Sequence, residues 1–147
     1  MKTKFSLIEL LLCIAVIFIL MSFGMKVMTL AIKRAKIVRC VSEIKSIQTA
    51  IEAYRDEHKR EIPDSFEVLN INTVYDPWKN AYSYQNYKMI PNGKRRKDKN
   101  MNPLNSDYDL WSNGPDGKTA FQINSAFGHD DIIRASDGQF IGIADDY

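Results

Sequence analysis

Apolar residues fall into three successive patterns along this chain. From Phe5 to Met25 they are almost unbroken, with Glu9 the only charge in twenty-one residues. From Lys26 to about His58 they recur at helical spacing. Leu30, Ile37, Ile44 and Ile51 lie seven residues apart, and Cys40, Ile47 and Tyr54 fill the alternate positions of the same seam. Beyond Pro63 the runs are short, rich in tyrosine and isoleucine, and punctuated by Gly, Pro, Asn and Asp, as in short strands joined by turns. The first two patterns predict one continuous helix of roughly 80 Å, ended by Pro63. Its first part, residues 5–25, reaches roughly 30 Å and so matches the hydrocarbon core of a bilayer. Its second part, residues 26–60, carries an apolar stripe that needs cover. The seam is short for a free coiled coil, and a head follows at once, so packing beneath that head is the expectation.

Within residues 61–147, Asp64 and Ser65 are placed to cap a short turn of helix over Phe66 to Leu69. The run Asp76-Pro77-Trp78-Lys79-Asn80 reads as a turn, and Tyr82, Tyr84 and Tyr87 mark a strand after it. A second strand covers Asp107 to Ser112 and runs into the tight turn Asn113-Gly114-Pro115-Asp116-Gly117, where both glycines point to special backbone angles. Asp137-Gly138 between two isoleucine-bearing runs predicts a two-residue hairpin. The fold class expected is therefore α+β: a long N-terminal helix packed on a small antiparallel sheet of three or four strands.

Charge changes this picture in one respect. The net charge of +2 over 147 residues conceals a basic stem, +5 over residues 26–60, and an acidic head, −4 over residues 61–147. Within the head, Lys94-Arg95-Arg96-Lys97-Asp98-Lys99 gathers five cations in six residues. It reads as a mobile solvated loop, with contact to acidic lipid head groups, nucleic acid or an acidic neighbour as the alternatives. The tyrosines are read as core and sheet packing rather than a surface on which bases stack. Cys13 and Cys40 lie 27 residues apart on one predicted helix, roughly 40 Å at helical rise, so no bridge forms between them within a chain. A cleaved secretory signal fits poorly, because the apolar run is long, contains Glu9 and ends without a small-x-small cleavage site.

Candidate chemistry is sparse. No Ser/His/Asp spacing, phosphate loop or Cys/His pair stands in the head, and Asp107 with Asp109, two residues apart on a strand, suits structure better than glycoside hydrolysis. The chain is expected not to be an enzyme. Asp116, Asp130 and Asp131 lie in loops that also offer free carbonyls. Such hard oxygen donors suit Ca²⁺, although aspartates in turns usually satisfy backbone N–H groups instead. His58 and His129 are too few for zinc with both cysteines on the helix.

Phe5-Ser6-Leu7-Ile8-Glu9-Leu10-Leu11, an aromatic, a small hydroxyl residue, two aliphatics and a glutamate opening an apolar run, resembles the start of the type IV pilin and type II secretion pseudopilin superfamily. Asp76-Pro77-Trp78-Lys79-Asn80-Ala81-Tyr82-Ser83-Tyr84 and Asp109-Leu110-Trp111-Ser112-Asn113-Gly114-Pro115-Asp116-Gly117, with Asp131-Ile132 beyond, resemble two motifs of the type II secretion major pseudopilin. The resemblance implies a leader at 1–4 removed by a prepilin peptidase, which cuts between Lys4 and Phe5 and N-methylates Phe5. Lys4 stands where the family usually carries Gly. It further implies that Glu9 pairs with the amine of Phe5 in a neighbouring subunit. It implies a structural Ca²⁺ held by Asp116 and Asp131, with Asp130 as a third ligand and carbonyls such as that of Asn113 completing the shell.

The function implied is that of a pseudopilin subunit of a type II secretion system, polymerised into a helical filament that drives protein export. The partners implied are copies of itself, other pseudopilins, the prepilin peptidase, an inner-membrane assembly platform and, before assembly, membrane lipid; no nucleic acid is expected. The location implied is the bacterial inner membrane, single-pass, with the N-terminus cytoplasmic and the head periplasmic. Cations flank the span on both sides and do not set this orientation by themselves. A type IV pilin or minor pilin, and a membrane-anchored monomeric ligand-binding protein, are the alternatives.

Overall fold

A computed structural model describes residues 6–69, 71 and 75–147, with the backbone alone for residues 22–24. The chain divides into two compact units, residues 1–35 and 36–147. One helix, α1 (Leu7–Glu57), belongs to both. It starts where Ser6 and Glu9 form a capping pair: the Ser6 carbonyl accepts the N–H of Leu10 at 3.2 Å and the Glu9 carboxylate accepts the N–H of Ser6 at 2.8 Å. It ends before the expected proline, because Lys59 and Arg60 adopt left-handed backbone angles (φ 52° and 66°) that no helix continues.

In the first unit every described side chain of α1 is exposed, including Leu7, Leu12, Ile17, Leu20 and Leu30. This helix is long and apolar enough to cross a membrane, with a mean hydropathy of 2.7 over its most apolar stretch. Leu30, expected to begin the stripe that the head covers, lies among these exposed residues.

The second unit holds a four-stranded antiparallel sheet in chain order: β1 (Ser83–Asn86), β2 (Tyr108–Ser112), β3 (Ile132–Ala135) and β4 (Phe140–Ile143). The period-two alternation of strands sends successive side chains to opposite faces. On one face Tyr84, Tyr108, Leu110 and Ile132 pack against Cys40, Ile44, Ile47 and Ile51 of α1. The helix stripe and the sheet thus cover one another, each buried aliphatic contributing about 2 kcal/mol. On the other face Trp111, Ile133 and Ala135 pack with Leu104, Ile123 and Ala144 from the loops. The sheet is sandwiched between a helix and a layer of irregular chain.

Details of the expected head hold to differing degrees. The short turn of helix occurs at Phe66–Leu69 as a 3₁₀ segment. Tyr87 falls just beyond β1, where its hydroxyl donates to Asp109 at 2.7 Å. The final hairpin is wider than two residues. Ala135 pairs with Phe140, so Ser136 to Gln139 form the loop, with Ser136, Asp137 and Gly138 all at positive φ.

Cys40 is fully buried, its sulfur accepting a hydrogen bond from the Tyr82 hydroxyl, and burial pushes its thiol up to about 11. Cys13 is exposed. Burial leaves the Cys40 sulfur no access to a thiol of another molecule while the head is folded. N-ethylmaleimide is expected to spare Cys40 of the detergent-solubilised chain until denaturant is added. Two adducts on the native chain, counted by mass, would contradict this burial.

Candidate functional site

The two head motifs meet around one buried carboxylate. Pro77 and the turn after it wrap the chain about Asp76, whose Oδ1 accepts the N–H groups of Trp78 and Asn80 at 2.9 and 2.8 Å. Its Oδ2 accepts the hydroxyl of Ser112 at the end of β2. Asn80 then donates through Nδ2 to the carbonyl of Gly114 at 3.0 Å. Gly114 and Gly117 adopt φ of 64° and 69°, as the sequence suggested. A Cβ on Gly114 would stand 2.3 Å from the main-chain oxygen of Asp130, so no larger residue fits without moving backbone.

The expected calcium ligands lie just beyond this junction, and each carboxylate engages protein donors. Asp116 is exposed, with Oδ1 accepting the N–H of Lys118 at 2.7 Å. Asn113 turns its side-chain oxygen to the indole N–H of Trp111 at 3.0 Å. Asp130 is half-buried; its Oδ2 accepts the N–H of Asp116 at 3.3 Å, and its Oδ1 is buried without a protein partner. Asp131 is completely buried, and its Oδ2 accepts from Arg96 Nη2 at 2.5 Å and from the Thr119 hydroxyl at 2.7 Å. Burial pushes the Asp131 carboxyl up to about 6, against the pull of Arg96 and Thr119, so it is largely ionised at neutral pH.

Among the described residues no group of three or more His, Cys, Asp or Glu stands close enough together to hold a metal ion. Asp130 Oδ1 and Asp131 Oδ1 are the buried acid oxygens there without a partner. A divalent ion about 5 Å from the Arg96 guanidinium would also be repelled by about 7 kcal/mol at an effective dielectric of about 20. Asp116, Asp130 and Asp131 each engage a protein donor with one carboxylate oxygen.

Arg96 departs from the expectation for the basic run. The basic run was read as mobile surface, yet Arg96 is only 2% exposed and Lys97 bridges to Pro103 and Gln122. Arg134 is the other buried cation among the described residues. Its guanidinium grips Asp107 with two hydrogen bonds of 2.8 and 3.1 Å, lies 3.9 Å from the Tyr108 ring centroid and reaches Gln48 of α1 at 3.2 Å. Asp107 and Asp109 are thereby structural: Asp109 accepts from Tyr87, Asn105 and the N–H of Arg96.

Strand alternation could have exposed Arg134, since it sits between two core residues of β3 and faces away from both. No local signal marked Arg96, whose partner lies 35 residues on. Of the residues expected to direct processing and assembly, Lys4 and Phe5 lie outside the described residues. Glu9 stands exposed on the first turns of α1. Comparison of the chain with known protein families, with curated proteins and with solved structures finds no match.

Proposed function

We propose that this chain is a pseudopilin-like subunit, held in the bacterial inner membrane by residues 5–25 with the head outside, and polymerised into a helical filament of a type II secretion system. The observation that carries this reading is the helix itself. Its first unit buries none of its described side chains and holds one acid, Glu9, near its start, while its continuation is consumed by packing under the sheet. A carboxylate in lipid costs about 2.5 kcal/mol or more without a partner. An amine on the neighbouring copy, exposed when the peptide after Lys4 is cut, supplies one. Contacts that join a different patch on each partner repeat without closing, which gives an open helical assembly. In this reading the subunit binds copies of itself and catalyses nothing.

The test is the chemistry of the N-terminus. Chain purified from membranes containing a prepilin peptidase is expected to begin at N-methylated Phe5 and to give a ladder of homo-oligomers on amine cross-linking. A mature N-terminus elsewhere, or a chain that stays monomeric, counts against the filament and favours a membrane-anchored monomeric binding protein. A filament whose loss abolishes adhesion or motility but not export assigns the chain to the pilins instead.

A further inference from the structure

Each face of the sheet contains one fully buried arginine paired with one aspartate, and the pair on the loop-covered face lies where the resemblance calls for a metal. Arg96, Thr119 and Asp131 form a closed triangle. Arg96 Nη2 donates to Asp131 Oδ2 at 2.5 Å, Arg96 Nη1 donates to Thr119 Oγ1 at 2.7 Å, and the Thr119 hydroxyl donates to the same Asp131 oxygen at 2.7 Å. The ring of Trp111 closes one side, its centroid 4.8 Å from the guanidinium carbon. Arg96 Nε has no protein partner.

The main chain of both residues is fixed as well. The N–H of Arg96 donates to Asp109 Oδ2 at 2.9 Å, its carbonyl accepts from Leu104 at 3.0 Å, and the carbonyl of Asp131 accepts from Ala144 at 2.9 Å. The ion pair therefore joins the basic run, β2, the loop between β2 and β3, the start of β3 and the residue after β4. A buried carboxylate with no cation beside it takes up a proton or unfolds its surroundings. Here the cation is covalently part of the chain.

We infer that Arg96 is the resident cation of the Asp116–Asp131 loop, so that the head of this protein is held together without calcium. The inference stands apart from the filament reading, because its readout is melting of the head rather than processing or assembly. The full chain in detergent is expected to melt at the same temperature, within about 1 °C, in millimolar calcium and in excess chelator. A melting temperature several degrees higher in calcium would overturn it.

Arg96→Met keeps the length and apolar stem of the side chain and leaves Asp131 buried and unpaired. It is expected to lower the melting temperature on the order of 10 °C. Arg96→Met combined with Asp131→Asn removes the charge that needed an answer and is expected to recover most of that loss. The double variant also serves if the single variant does not fold. Arg96→Met melting with the parent chain, or a double variant no more stable than the single one, would show that the guanidinium does not perform the metal's role.

Discussion

Glu9→Ala is expected to leave the chain in the membrane and to abolish its cross-linking into homo-oligomers. The substitution removes the only charge of the apolar run, so insertion becomes easier by about 2.5 kcal/mol or more. Assembly moves the other way. Deleting one partner of a desolvated ion pair costs about 3 to 5 kcal/mol, a factor of a hundred or more in the association constant. Glu9 also has a local role, since its carboxylate caps the N–H of Ser6 at 2.8 Å. Glu9→Gln separates the two, because a glutamine at that position still caps but carries no charge. Both variants should fractionate with membranes and neither should form the ladder. A ladder restored by glutamine would make Glu9 a helix cap and remove the intersubunit ion pair from the proposal.

Asp76→Ala is expected to be the most damaging single change at the motif junction. Four donors converge on that carboxylate: the N–H groups of Trp78 and Asn80, the side-chain amide of Asn80 and the Ser112 hydroxyl. Asp76 is 4% exposed, so alanine admits too little water to satisfy them all. Hydrogen bonds to a charged group contribute about 1.5 to 3 kcal/mol each, but the donors in the turn recover part of this by shifting toward solvent. A net loss of about 3 kcal/mol is expected, and a melting temperature lower on the order of 10 °C. Ser112→Ala, which removes one of those donors and also the acceptor of the Gly114 N–H at 3.1 Å, should cost less, about 2 kcal/mol. Circular dichroism melts of the full chain in detergent check the order. Equal effects of the two substitutions would mean that the carboxylate does not organise the turn.

The parts of this fold that were legible in sequence are those set by near neighbours. The stripe through Cys40, Ile44, Ile47 and Ile51 shows because helical side chains repeat within a turn. β2 and the hairpin after Ile132 show because strand residues alternate and Asp-Gly turns. Gly114 and Gly117 betray their backbone angles by lacking a side chain. The limits are equally local. Leu30 continues the seven-residue spacing, and nothing in spacing reveals where the cover for the stripe begins. Arg96 looks like Lys94 and Lys97, because a charge run has the same composition whether its members are solvated or one of them turns inward. Its burial is decided by Asp131 and Thr119, which the chain brings to it only after β2 and the following loop are in place. The carboxylate of Asp131, which the resemblance singles out, stands against the Arg96 guanidinium, a contact that no spacing in the sequence announces.

The strands pair in the order in which they are made, and that order bears on how the head comes into being. Loop closure between sequential strands costs little more for the long connections than for the short ones, since the entropy grows only with the logarithm of length. β3 and β4, separated by four residues, meet first by proximity. The apolar stripe of α1, however, emerges from synthesis before any of its cover, and Ile132 arrives after every other buried member of that cluster. In the interval Cys40, Ile44, Ile47 and Ile51 form an unprotected apolar ridge continuous with a span suited to lipid. Until Ile132 is made the ridge lacks part of its cover, so this cluster cannot close before β3 is in place.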